Sequence, residues 1–351
     1  MRKRGSINCI ILVMLFSLSL LMSACGKKQI VITTGFGEGE VFRVEDFKCT
    51  ESEVMLYLYN LHSQYERTYG SGIWTAGGAG TDLSENLKQT VLARLAKIKL
   101  MNIMAGRYQV VLNGEQKAKA EQAAKMYYAS LSPEEIAVLK GISCETVEQM
   151  YEEYAVAELL YDTLSAGVNM EISDDEARVV RLHQIVLLRH KTMDDGSVSN
   201  NDTEELMRRA GSIIKRIEDG EDFDAIAYAV SDTSVVSVEM AKGIEASEVE
   251  NMCFNLAEGE VGTPVVTEDG VYIYKCISTY DRQQTEERKR ELSKERKKQR
   301  FDEKYEEFAS GMEIYLNEDL WDTLEAEDIP AVSQTDFFEI YNRFFVSTQQ
   351  N

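Results

Sequence analysis

Apolar residues recur along this chain with two different periods, and the change from one to the other falls near Ser173. Before it the spacing is helical. Leu87, Val91, Leu95 and Ile98 lie four, four and three apart, which predicts one buried face of a helix over about 84–107. Val147, Met150, Tyr154, Ala157, Tyr161 and Leu164 alternate three and four and predict a helix over about 145–164. Thr50 followed by Glu53 is a capping-box pattern that opens a helix running to about Tyr69. The five glycines from Gly70 to Gly80 predict a loop. Asn113-Gly114 and Ser132-Pro133 mark two further helix starts. On this pattern residues 44–172 form an all-helical region, and 25–43 read as a tether with one β-prone piece at Ile30–Thr33.

After Ser173 the period shortens. Residues 179–188 read as a strand and 189–202 as a polar loop with Asp195-Gly196. Leu206, Ala210, Ile213 and Ile217 mark a helix, Phe223–Val230 a short one and Glu248–Leu256 a third. Val265 and Val266, the turn Thr267-Glu268-Asp269-Gly270, and 271–277 read as a hairpin. This makes a compact α+β domain over 173–280. Residues 281–351 then return to a helix with Phe301, Tyr305 and Phe308 on one face, and end in the aromatic cluster Phe337, Phe338, Ile340, Tyr341, Phe344 and Phe345. The expected fold class is α+β, a helical region completed by the C-terminal helix, with a small antiparallel sheet flanked by helices between them.

Composition narrows the chemistry. With 38 Lys plus Arg against 60 Asp plus Glu, the net charge of −22 repels phosphate backbones, so no nucleic-acid partner is expected. Basic residues do cluster at 288–300, but Glu286, Glu287, Glu291 and Glu295 interleave with them, which favours a solvated helix face stitched by ion pairs. Three histidines and the lack of any CxxC spacing give no metal site, and no cofactor is expected. Arg2, Lys3 and Arg4 precede an apolar run from Ile10 to Met22 that is shorter than the ~20 residues of a spanning helix. The run reads as the core of a secretory leader over 1–24. Ser23-Ala24 before Cys25 resembles a bacterial lipobox, which implies acylation of Cys25 and an extracytoplasmic protein tethered to the cell membrane. Outside the cell a Cys253–Cys276 disulfide is open, and the sequence does not decide it.

One constellation resembles a known family. Gly220-Glu221-Asp222-Phe223-Asp224-Ala225-Ile226-Ala227 is similar to the "G-x-D-F-x-x-L-A" segment of parvulin-type (PpiC-like) peptidyl-prolyl isomerases, and Ser231-Asp232 follows where that family has "S-D". Phe254-Asn255-Leu256, Gly259-Glu260-Val261 and Pro264-Val265 resemble its "F-x-L-x-x-G-E-x-S-x-P-V", and Thr267, Gly270, Ile273 and Lys275 its closing strand. With the leader and the helices on both sides, the layout resembles PrsA/SurA-like foldases. The resemblance implies an extracytoplasmic foldase for unfolded or secreted polypeptides with X-Pro segments, attached to the membrane through Cys25; whether the chain forms a homodimer is left open by the sequence.

The resemblance departs at the pocket. The first family histidine falls on Gln184 or, one residue out of register, on His183; strand side chains alternate, so the two cannot face one pocket. The second falls on Tyr272, and the residue after "S-D" on Thr233. The pocket aromatic falls at Val249, while Phe254 is retained. The family's "G-D-L-G" is not recognisable between Val235 and Gly243. By resemblance, Gln184, Tyr272 and Thr233 are the expected catalytic positions and Val249, Phe254 and His183 the expected substrate-binding ones. Weak catalysis with retained peptide binding is the first expectation, and a non-catalytic holdase or scaffold with a degenerate domain is the alternative. A solute-binding lipoprotein would need two alternating α/β lobes, which the helical first half does not provide.

Overall fold

The computed structural model describes residues 29–32, 35–74, 79–166, 171–192, 198–325, 329 and 336–346. The leader 1–24 and Cys25 lie outside the described residues. The chain divides into two units, one of residues up to 168 together with 298 onward, the other of 169–297.

In the first unit, strands β1 (Gln29–Ile32), β2 (Glu40–Val44) and β3 (Phe47–Thr50) precede five helices: α1 (Glu51–Tyr69), α2 (Ala79–Arg107), α3 (Gly114–Ser130), α4 (Pro133–Val138) and α5 (Cys144–Ser165). The chain returns to this unit through the last part of α9 (Arg282–Ala309), then β10 (Glu313–Leu316), α10 (Glu318–Trp321) and α11 (Phe337–Phe345). β1 falls on the stretch expected to be β-prone, whereas 35–50, expected as tether and helix entry, instead supply β2 and β3, and the sheet is ordered β1-β10-β2-β3. The cause is β10. It pairs parallel with β1 and antiparallel with β2, and so gives short segments from opposite ends of the chain a common ladder. Val41, Phe42, Val44 and Cys49 are buried there without residual exposure.

The helix starts follow their local chemistry. The Glu53 carboxylate accepts from the Thr50 N–H at 2.7 Å and from the Thr50 hydroxyl at 2.9 Å. At the next two starts the reciprocal bond is formed as well, the Asn113 and Ser132 side chains accepting from the N–H groups of Gln116 and Glu135. The C-terminal aromatic cluster completes the helical core. Phe337 stacks on Tyr151 with centroids 4.1 Å apart, and the Tyr151 hydroxyl donates to the Phe337 carbonyl at 2.9 Å. One buried charge group ties this core together. The Lys99 ammonium (α2) donates to Glu53 (α1) at 2.7 Å and to both oxygens of Glu153 (α5) at 2.7 and 2.9 Å.

The second unit is built on β4 (Val179–Leu188), a β5–β6 hairpin (His190–Thr192, Val198–Asn200), α6 (Thr203–Glu218), α7 (Phe223–Val230), β7 (Ser237–Ala241), α8 (Ser247–Asn255), β8 (Val265–Val266) and β9 (Gly270–Ser278). Its sheet is antiparallel in the order β7-β4-β9-β8, so the expected strands 179–188 and 271–278 are neighbours. The strand β7 carried no distinct sequence signal. Gly270 closes the β8–β9 turn because no side chain fits: a Cβ there would lie 2.1 Å from the Leu187 carbonyl oxygen. The basic stretch of α9 is spent on ion pairs, with Arg288 near Glu291 and Glu295, Lys289 bonded to Asp174 and Glu286, and Arg296 to Glu176.

Candidate functional site

Alternation along β4 and β9 sorts the second unit into two faces. Ile185, Leu187, Val271 and Ile273 pack on α6 and α7, with Leu206, Ala210, Ile213, Phe223 and Ile226. Leu182, Tyr274 and Cys276 pack on α8, with Val249, Cys253 and Leu256, and Phe254, Val265 and Tyr272 lie against this second cluster. Gln184 sits directly across from Tyr274, and Val186 from Tyr272. Strand alternation therefore places Gln184, Tyr272 and Tyr274 on the α8 face, beside Phe254 and Val265.

His183 belongs to the other face. Its Nδ1 lies 2.6 Å from Asp224 Oδ1 at the start of α7, so its ring is engaged away from the α8 cluster. Of the two residues, Gln184 is the one on the Phe254 side of the sheet. His183, expected to contact substrate, is thus apart from Val249 and Phe254 and bonds a carboxylate on the opposite side of the sheet.

The segment 231–236 runs along the edge of β4 that β7 leaves free. The Ser231 hydroxyl accepts from the Val186 N–H at 3.1 Å, an Asp232 carboxylate oxygen accepts from the Leu188 N–H at 3.0 Å, and the Gln184 N–H reaches the Val236 carbonyl at 2.8 Å. The Ser-Asp pair thus takes the place of a neighbouring strand and satisfies backbone donors that would otherwise be unpaired. Gln184 and Thr233 meet on this segment. The Gln184 amide donates to the Val235 carbonyl at 3.0 Å, and the Thr233 hydroxyl accepts from the Val235 N–H at 3.2 Å. Tyr272 is not part of that pairing.

Burial governs the electrostatics of the α8 face. It raises the Tyr272 hydroxyl above its ordinary value, helped by Asp269 and Glu245, and raises Tyr274 in the same sense. It pushes the Cys253 thiol up to about 12. Cys253 and Cys276 are both buried and both free, so no disulfide joins them. Both tyrosines are neutral at physiological pH and can donate or accept hydrogen bonds beside an apolar floor. Val249 is buried in that floor, whereas Phe254 is half-buried at its margin under the Arg178 guanidinium, 4.9 Å from the ring centroid. Tyr274, stacked near Tyr272 with centroids 6.0 Å apart, was not singled out from the sequence; the two-residue spacing along β9 was the available signal.

Comparison with known proteins bears on this unit. Residues 186–278 match the family model described as "Rotamase: PPIC-type PPIASE domain". No curated protein matches the chain. Among solved structures, a peptidylprolyl isomerase (PrsA) from Bacillus cereus is 16% identical, covers 91% of this chain and 100% of its own, with a TM-score of 0.37. PrsA from Bacillus subtilis is 17% identical over 90% of this chain and 99% of its own, with a TM-score of 0.25. One of the SurA-like chaperones of Campylobacter jejuni is 12% identical over 79% and 98%, with a TM-score of 0.28. The chain carries a rotamase domain of the PPIC type, spanning residues 186–278.

Proposed function

We propose that the second unit binds X-Pro segments of extended polypeptide on its α8 face, as part of an extracytoplasmic foldase held at the membrane through acylated Cys25. The observation that carries this reading is the convergence of Tyr272, Tyr274, Val265 and Phe254 on one face within the matched rotamase domain, with Gln184, two residues before the match, on the same face. An apolar floor with neutral tyrosine hydroxyls suits a proline ring and the carbonyl that precedes it. No helix among the described residues is long and apolar enough to cross a membrane, and attachment in this reading rests on Cys25.

Catalysis in this reading is slow. The X–Pro barrier is ~18–20 kcal/mol, and an isomerase lowers it only by binding the twisted amide better than either planar form. Gln184 and Thr233 already bond to Val235, so their polar atoms are partly committed to the segment beside β4. That commitment also favours the second reading, a holdase whose domain binds without isomerising. A proline-peptide isomerisation assay on the full chain separates them. Low but measurable turnover that rises in a Gln184→His, Tyr272→His double variant supports the foldase. No turnover in either protein, with peptide binding intact, leaves the holdase. Robust turnover in the unaltered chain contradicts the roles assigned to Gln184 and Tyr272.

A further inference from the structure

The helical unit holds a cavity of about 340 Å³ between α2, α5, the last part of α9 and the end of α11. Small-molecule sites begin at about 300 Å³, whereas one water takes ~30 Å³. Ile98, Met101, Ala157 and Phe301 give the cavity apolar walls. Arg94 lines it too and is only 8% exposed. The guanidinium carbon lies 4.3 Å from the Phe338 ring centroid and 5.4 Å from that of Tyr57. Its Nε and Nη1 are buried and meet no hydrogen-bond acceptor. Lys97, also buried at this cavity, lies 4.9 Å from the Tyr305 ring centroid. Three carboxylates line the same space. Asp302 is bonded to Lys298, and Glu158 and Asp162 are exposed, with Glu158 accepting from the Tyr341 hydroxyl at 2.7 Å. Among the described residues none of the three forms an ion pair with Arg94.

We infer that this cavity binds a small monocarboxylate with an apolar body, of the fatty-acid class, its carboxylate on Arg94 and its chain along Ile98, Met101, Ala157 and Phe301. A buried guanidinium donor without an acceptor is unfavourable, and a carboxylate matches the planar fork of Arg. Water alone would satisfy Nε and Nη1 but leave the apolar walls wetted. A plain alkyl chain would cover the walls and leave both donors stranded. The exposed Glu158 and Asp162 repel a second negative charge, so a monoanion fits and a dianion does not. The inference is independent of the prolyl-peptide reading, which concerns the other unit.

The test is calorimetric titration of the full chain with octanoate, octan-1-ol and octyltrimethylammonium, which share a chain length and differ in charge. Octanoate is expected to bind about 10- to 100-fold more tightly than the alcohol, the worth of hydrogen bonds to a charged group. Arg94→Met keeps an apolar side chain over Phe338 and should erase that advantage while the alcohol still binds. Ala157→Leu fills the cavity without touching the guanidinium and should weaken both. The octanoate-to-alcohol ratio in the unaltered chain reads the charge even if Arg94→Met does not fold. Octanoate binding no tighter than the alcohol overturns the inference, as does tighter binding of the ammonium, an advantage that survives Arg94→Met, or binding of none of the three. A short peptide with a free C-terminal Leu is the competing source of the same chemistry. If it displaces octanoate at lower concentration than octanoate itself binds, and its amide does not, the occupant is a chain terminus and the small-molecule assignment falls.

Discussion

Replacing Lys99 with Met tests what holds the helical unit together. The ammonium is 1% exposed and its partners Glu53 and Glu153 are 5% and 10% exposed, so all three charges have left water. At an effective dielectric near 20 and a separation of ~3.3 Å, each carboxylate gains about 5 kcal/mol from the ammonium. Desolvation offsets most of that, but removing one partner strands the others, which costs about 3–5 kcal/mol. Met keeps the volume, so the loss is electrostatic rather than a cavity.

The pH dependence has a definite sign. Burial holds the Glu153 carboxyl above the ordinary carboxylate range, with Lys99 working against it. Burial would lower Lys99, but Glu53 and Glu153 overcome it and keep the ammonium charged across the working range. A carboxyl with a raised folded pKa favours the fold at low pH and costs stability as pH rises through that pKa. Lys99→Met enlarges this shift, so its deficit is greatest at pH 8 and shrinks toward pH 5. Both tryptophans, Trp74 and Trp321, lie in this unit, so their emission during urea unfolding reports it selectively. At pH 8 the midpoint is expected to fall by about 1–3 M. Adding Glu153→Gln to the variant should recover part of the loss. A deficit below about 1 kcal/mol, or one equal at pH 5 and pH 8, would refute the reasoning.

Gly270→Ala forces a Cβ against the Leu187 carbonyl and should destabilise the rotamase domain by about 2–4 kcal/mol; an unchanged midpoint by tyrosine fluorescence or hydrogen exchange would mean the turn relaxes freely. Cys25→Ser should move the protein from the membrane fraction to the soluble extracytoplasmic fraction, and unchanged retention would rule out acylation at that residue.

Much of the rotamase domain is legible in the residues. Period-two alternation places Tyr272 and Tyr274 on one face of β9, and the same rule requires His183 and Gln184 to part company. Short-range signals held equally well at the helix starts, since a cap depends on residues three apart. Of the sheet of the first unit only the β-prone piece at Ile30–Thr33 was legible, not its partners. Its strands are four or five residues long, too short for a periodic signal, and β2 meets Leu316 only after the chain has built everything between. The bonding of Gln184 and Thr233 to Val235 was hidden for a related reason: it depends on the path of an irregular segment along β4.

What sits in the amino-acid string is therefore local: where helices begin, which side of a strand a residue faces, how acidic the surface is, and the short motifs of the rotamase domain. Those properties depend on neighbours within a few positions, and backbone geometry imposes them wherever the segment ends up. Folding in three dimensions decided which distant pieces share a ladder, where the ammonium of Lys99 finds two carboxylates, and that Gln184 and Thr233 both bond to Val235. Charges and ladders act through space, so residues far apart in sequence can dominate a site that no window of the chain contains.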